Sequence, residues 1–234
     1  MKVKKTLTAW RGEPHCEQCP IRRQALFSDL AEGAFCGLHL HIEDLAFAAG
    51  TIVYRSDDPG DALFTIRSGV VKLVQSLPNG SQRIVRLLRQ GATLGLEAVL
   101  GDPYRHTAAA MQDVLLCRIP ATAVHFLTSQ TPTLYAQLMR RWQQSVDQAD
   151  EWLTFLSTGS ARARVARLFL HLLDGAPDGS CQLFGRDDVA AILGITNETA
   201  CRVIAEFGRD AIIVARSANR FDCNVPLLTE IASA

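Results

Sequence analysis

The chain has 234 residues, 48% of them hydrophobic and 21% charged, with 24 basic and 24 acidic side chains. That length suits two small packed domains, and the apolar content excludes an intrinsically disordered protein. No segment reaches the apolar length of a membrane span, and the basic start leads into no signal-peptide run, so a cytoplasmic protein is expected.

In chain order, the first feature is a set of cysteines. Cys16 and Cys19 form a Cys-x-x-Cys with Pro20 behind it, and Cys36 follows in the same N-terminal segment. Seven cysteines in a cytosolic chain argue for metal or redox use over a disulfide framework. On spacing alone, the Cys-x-x-Cys fits zinc, a redox pair or an iron–sulfur site. For Cys36 the plainer reading is a small buried hydrophobe beside Phe35 and Leu38.

A run of short strands comes next. Residues 48–55, 62–66, 70–77, 82–88, 107–111 and 114–119 are rich in β-branched and apolar side chains. They are separated by turn formers such as Asp57-Asp58-Pro59-Gly60, Ser68-Gly69 and Pro78-Asn79-Gly80. Such spacing predicts a small antiparallel barrel or roll. Cys117 lies in the last of these strands.

From Pro132 to Leu156 there is neither proline beyond the first residue nor glycine. Leu138, Trp142, Ser145, Ala149, Trp152 and Leu156 recur there at spacings of three and four. A helix of this length carries a seam of about 37 Å, enough for a two-stranded coiled coil. Packing against the chain's own roll is the alternative use of the same face. After Ser157-Thr158-Gly159, the stripe Val165, Leu168, Phe169 and Leu172 predicts the first helix of a second domain.

A helix-turn-helix follows, over residues 187–207. Val189, Ala190 and Leu193 give a short apolar helix, Gly194 permits the tight turn, and Thr196 is a good N-cap for a second helix. Ala200, Val203, Ile204 and Phe207 form its buried stripe, with Asn197, Glu198, Cys201 and Arg202 on the opposite face. A recognition helix reads bases from its N-terminal end, where Glu198 can accept from cytosine and Arg202 can donate to guanine. A surface ion pair between these two residues is the plainer reading. Residues 211–214 and 220–225 read as strands of a wing about the turn Ser217-Ala218-Asn219, with Arg216 and Arg220 placed either to reach phosphates or to stand as plain solvated charges. From Thr158 onward eight arginines stand against nine acidic residues, so DNA affinity must come from a few placed arginines and from dimerisation. Cys181 and Cys223 read as structural, and Cys201 as an exposed thiol open to oxidation.

The whole is an α+β chain: an N-terminal antiparallel β-roll, a long dimerisation helix and a C-terminal winged helix-turn-helix. Its expected divisions are an arm at 1–40, the roll at 41–130, the helix at 131–157 and the DNA-binding domain at 158–234. No phosphate-binding glycine loop and no nucleophile–base pair suggests an enzyme.

In this order of parts the chain resembles the CRP/FNR transcription regulators. Phe64-Thr65-Ile66-Arg67-Ser68-Gly69-Val70-Val71-Lys72 is similar to their roll signature, and Asn197-Glu198-Thr199-Ala200-Cys201-Arg202 to their recognition helix. The resemblance implies that Glu198 and Arg202 read a G·C pair in each half of a palindromic TTGA-type site. Cys201 stands where the FNR branch has a serine, which leaves the outer bases open. Cyclic-nucleotide binders of the family carry Gly-Glu-Leu and then an Arg-Ser or Arg-Thr pair. Here the stretch reads Gly95-Leu96-Glu97, and His106 falls at the docking arginine.

His15-Cys16-Glu17-Gln18-Cys19-Pro20 resembles instead the N-terminal motif of FNR-type oxygen sensors, in particular the FnrL-like ones, and Cys117 matches their ligand from the roll. The resemblance implies a four-iron four-sulfur cluster held by Cys16, Cys19, Cys36 and Cys117, whose loss to oxygen or nitric oxide weakens DNA binding. Relatives place the third cysteine near residues 25–27, where this chain has none, so Cys36 would be looped in. At the dimer seam, Ala149 matches a position that is a carboxylate in some members. RNA polymerase is the implied partner, with Pro78-Asn79-Gly80-Ser81 as the contact turn. A cyclic-nucleotide or haem regulator of the same fold, or a zinc or thiol-redox protein, are the alternatives.

Overall fold

The computed structural model describes residues 5–6, 43–173 and 180–233. The chain divides into two compact units, one of Met1–Gln75 and Arg86–Val146, the other of Ser76–Val85 and Asp147–Ala234.

The first unit is built on two antiparallel sheets. One has the strand order β1 (Lys5–Thr6), β2 (Glu43–Phe47), β9 (Val114–Pro120), β4 (Ala62–Ser68), β7 (Thr93–Leu94). The other runs β3 (Ile52–Tyr54), β8 (Thr107–Ala110), β5 (Val71–Ser76), β6 (Gln82–Leu88). Consecutive side chains of a strand face opposite sides, yet β4 buries its first five residues without a break, as a central strand covered on both faces does. Leu63, Ile66, Val71, Leu116 and Ile119 fill the core. The β4–β5 turn requires Gly69, at φ +92°, where a Cβ would meet the Asp113 carbonyl at 2.5 Å. This is the roll expected from the strand spacing.

Two boundaries differ from expectation. Glu43–Phe47 is a strand, with Leu45 and Phe47 buried, although the sequence reading starts the series at residue 48. Residues 48–51 form a turn instead: Gly50 has φ +78°, and the Ala49 N–H donates to the Asp113 carboxylate at 3.0 Å. After β9, helix α1 (Ala121–Gln130) buries Val124 and Leu127. Pro132 then opens α2 (Pro132–Glu151), proline being well suited to the first turn of a helix. The expected helix continues to Leu156, but as a π-turn over Trp152–Leu156. Thr154 donates its hydroxyl to the Asp150 carbonyl at 2.8 Å there, a back-bond that loosens helical hydrogen bonding.

The second unit carries α3 (Ala161–Leu173), β10 (Ser180–Gln182), α4 (Arg186–Leu193), α5 (Asn197–Arg209), β11 (Ile213–Ser217), β12 (Arg220–Cys223) and α6 (Val225–Ser233). Val165, Leu168 and Phe169 of α3 are fully buried, and Phe169 packs near Phe207 and edge-on to Phe221. The wing sheet has the order β10-β12-β11. Its first strand begins at Ile213, two residues later than expected. Ala211, at φ +53°, and Ile212 close the end of α5 through bonds to Gly208 and Phe207 carbonyls. Residue 225 belongs to α6, not to the returning strand, because the Asn224 side chain accepts from the Leu227 N–H at 3.2 Å and caps a helix.

Candidate nucleic-acid interface and sensor residues

The helix-turn-helix forms from its sequence signals. Gly194 ends α4 at φ +61°, a left-handed conformation that glycine adopts without penalty. Thr196 then caps α5, its hydroxyl accepting from the Thr199 N–H at 3.1 Å. Ala200, Val203, Ile204 and Phe207 turn inward. Asn197, Glu198, Cys201 and Arg202 are exposed on the other side.

Among the described residues, Glu198 and Arg202 make no side-chain hydrogen bond or ion pair, so the surface ion pair weighed against base reading does not form. Asn197 is held instead. Its amide donates to Asp187 of α4 and accepts from the Cys201 thiol at 3.2 Å. The wing arginines are partly engaged: Arg216 Nε reaches the Asp222 carboxylate at 2.8 Å, and Arg220 Nε donates to the Ser180 hydroxyl at 2.7 Å.

The sequence reading missed the arginines that brace the two helices of the helix-turn-helix. Arg162 pairs with Glu206 and, at 3.4 Å, with Asp210, and lies over the Phe207 ring. Arg164 donates to the Leu193 carbonyl at 2.8 Å, satisfying the end of α4. Neither residue carries a pattern by itself, since each acts on partners about 30 to 50 positions away.

In the roll, Cys117 is a half-buried thiol on β9, opposite Asp44 of β2 and Thr65 of β4. Asp44 pairs with Arg67. Thr65 is buried, and its hydroxyl finds no hydrogen-bond partner among the described residues. Leu115, one turn of the pleat away on the same face, is 47% exposed. Cys16, Cys19 and Cys36 lie outside the described residues.

A second polar group closes inside the roll, joining Glu97 and His106, which the sequence reading marked, to Tyr54 and Arg86, which it missed. Tyr54, Arg86, Glu97 and His106 act on one another electrostatically. Burial pushes the Tyr54 phenol well up, reinforced by Glu97. Burial lowers the Arg86 guanidinium, against the opposing pull of Glu97 and Tyr54. His106 is lowered from 6.5 by burial first and by Arg86 second. Its Nδ1 has no partner among the described residues.

Comparison with known proteins accounts for both halves. Residues 44–131 match the cyclic nucleotide-binding domain family and residues 163–224 the Crp-like helix-turn-helix domain family, together more than half of the chain. The regulatory protein HlyX of Actinobacillus pleuropneumoniae is 27% identical over 89% of this chain and 91% of its own. The fumarate and nitrate reduction regulatory protein of Vibrio cholerae is 26% identical, over 85% and 82%. The transcriptional activator protein anr of Pseudomonas aeruginosa is 25% identical, over 87% and 86%. The chain belongs to the CRP/FNR family of transcription regulators.

Solved structures share the fold. FixK2 from Bradyrhizobium japonicum superposes with a TM-score of 0.75 at 21% identity, over 82% of this chain and 98% of its own. A CRP/FNR regulator from Thermus thermophilus gives 0.68 at 25% identity, over 82% and 99%. No helix among the described residues is long and apolar enough to cross a membrane.

The long helix of this CRP/FNR chain exposes some of the expected seam residues and buries others. Leu138 and Leu156 are buried within the chain, Ser145 and Trp152 are half-buried, and Trp142 and Ala149 are exposed. Ser145 donates to the Arg141 carbonyl at 3.1 Å. The exposed apolar stripe is Tyr135, Met139, Trp142, Val146, Ala149 and Leu153, spaced alternately by four and three. The two stripes share Trp142 and Ala149, and only burial tells which of their other residues pack at home.

Proposed function

We propose that this chain is a homodimeric regulator that binds palindromic DNA through α5 and senses oxygen or redox state through an iron–sulfur cluster. The carrying observation is that Glu198 and Arg202 stand exposed at the N-terminal end of α5 with no side-chain partner among the described residues, as base-reading groups must. The family relation supports a redox signal, since relatives bear the names fumarate and nitrate reduction regulatory protein and anaerobic regulatory protein.

The donor set fits such a group in its chemistry. Four thiolates match a four-iron four-sulfur cluster, and Cys117 is a half-buried thiol on a strand where Leu115 leaves apolar surface uncovered and the buried Thr65 hydroxyl has no hydrogen-bond partner among the described residues. Cys16, Cys19 and Cys36 would hold it from the arm, and Cys117 from the roll. When bound, the cluster supplies an oxygen-labile tie between them. Cys117 anchors the arm on β9, and the Asp44–Arg67 pair flanks that anchor. The exposed stripe of α2 joins two copies, and the paired α5 helices then read half-sites about one turn of DNA apart. In this reading residues 1–40 are the arm, 41–130 the sensor roll, 131–157 the dimer helix and 158–234 the DNA-binding domain. The exposed turn at residues 78–81, tightened by Asn79 accepting from the Ser81 N–H at 3.0 Å, is the surface for RNA polymerase.

Inside the roll, Arg86 interacts electrostatically with Glu97 and Tyr54, and burial biases His106 toward its neutral form, which supports a signal other than a phosphate-bearing nucleotide. The test is the absorbance of anaerobically purified protein with iron and sulfide assays, repeated for Cys36→Ala and Cys117→Ala. A broad band near about 400 nm that air abolishes and Cys117→Ala removes is the expected result. A colourless zinc protein, a haem Soret band, or DNA binding driven by cyclic AMP would overturn the sensing part.

A further inference from the structure

Two cysteines outside the proposed sensor meet beneath the wing. Cys181 of β10 is fully buried and sits opposite Phe221 of β12. Cys223 lies two residues beyond Phe221, so it shares that face of the sheet and is the diagonal neighbour of Cys181. It is half-buried, and its thiol points toward the Phe221 carbonyl at 3.8 Å. The two cysteine side chains are within hydrogen-bonding reach of each other.

We propose that Cys181 and Cys223 form a modification site, a thiol pair that a peroxide oxidises to an intramolecular disulfide joining β10 to β12. The more accessible Cys223 reacts first. Hydrogen bonds from the Cys181 side chain and backbone hold the Cys223 thiol below its ordinary value against the opposing effect of burial, which enriches the nucleophilic thiolate. Its sulfur attacks one peroxide oxygen, the O–O bond breaks, and hydroxide leaves to become water, giving a sulfenic acid at Cys223. The Cys181 sulfur then attacks the sulfenic sulfur. The S–S bond forms, the S–O bond breaks, and a second water departs with the Cys181 proton. Two thiols lose two electrons, and one peroxide becomes two waters.

Diagonal neighbours stand farther apart than opposed residues, so closing the bond shifts the paired strands β10 and β12 along each other and stores strain that makes it easy to reduce. β12 also carries Arg220, tied to Ser180 of β10, so the modification acts on the strand pair that positions a wing arginine. The inference uses none of Cys16, Cys19, Cys36 or Cys117 and holds whichever group those residues bind.

The test treats the full chain with hydrogen peroxide, blocks remaining thiols with N-ethylmaleimide under denaturing conditions, and maps the peptides. A cross-linked pair containing Cys181 and Cys223, about 2 Da lighter than the dithiol and reversed by dithiothreitol, is expected. In Cys181→Ala, Cys223 should instead be trapped by dimedone as a sulfenic acid. If both residues carry N-ethylmaleimide while Cys201 or the N-terminal cysteines are oxidised, the proposal is wrong. The peptide map of the unsubstituted protein decides even where the variant fails to fold.

Discussion

Arg202 and Arg216 are both exposed arginines of the second unit, yet their surroundings assign them different work. Arg202 makes no side-chain bond among the described residues and sits beside Glu198 on the open face of α5. Arg202→Ala should therefore cost about 1–3 kcal/mol of specific DNA binding and relax discrimination at one base pair. Arg216 lies on the wing, paired with Asp222. Arg216→Ala should weaken binding to all sequences alike and flatten the salt dependence by about one unit of slope. Equilibrium titrations of matched and mismatched duplexes at several salt concentrations separate the two, and equal loss of discrimination in both variants would refute the division. His106 gives a pH signature at the same scale. Its folded-state value lies below 6.5, so the unfolded chain binds the extra proton first. Its contribution is neutral above about pH 6.5 and turns destabilising as pH falls below that value. Thermal unfolding followed from neutral to mildly acidic pH should show the loss, and His106→Gln should reduce it. A variant that tracks the unsubstituted protein across that window would show that His106 is not the group responsible.

Elements differ in how far their own residues specify them. The recognition helix was legible because cap, turn glycine and buried stripe all lie within residues 194–207 and agree. The roll was legible as a series of strands, but the Glu43–Phe47 strand was not, since an acidic start to a five-residue segment resembles a loop until β9 pairs with it. Of the Tyr54, Arg86, Glu97 and His106 group, only Glu97 and His106 were marked in sequence, and their link to Tyr54 and Arg86 was not legible. The group's members come from strands and a turn that only the closed roll brings together. On α2 the difficulty was degeneracy: spacings of three and four fit the stripe through Leu138 and the stripe through Met139 equally well. Their burial predicts opposite consequences. Leu138→Ala empties a packed site and should lower unfolding stability by about 2–5 kcal/mol. Met139→Asp alters an exposed position, should leave the fold intact by circular dichroism, and should weaken self-association. Sedimentation together with thermal melts tests the pair, and the reverse assignment of effects would place the seam back on Leu138.

At the scale of the molecule, the question is what links the sensor to the operator. In a two-state regulator a signal shifts DNA affinity only through an interaction that differs between the states, and opposed carboxylates at a dimer seam are one such device. Here the exposed stripe carries Ala149 at that position, with Trp142 and Val146 before it and Leu153 after it. An uncharged residue at position 149 adds no repulsion of its own for the signal to overcome, whereas two carboxylates facing each other there would cost several-fold in association and be screened by salt. The cluster-free protein should consequently dimerise at micromolar concentration, and Ala149→Asp should shift it toward monomer, partly restored by added salt. Light scattering measures both, and a strictly monomeric cluster-free protein would refute the inference. If the dimer persists while oxidation of the proposed cluster weakens DNA binding, that loss is expected to come from misalignment of the two α5 helices within an intact dimer. Operators with altered half-site spacing would then recover part of the affinity, because a displaced pair of helices matches a different separation.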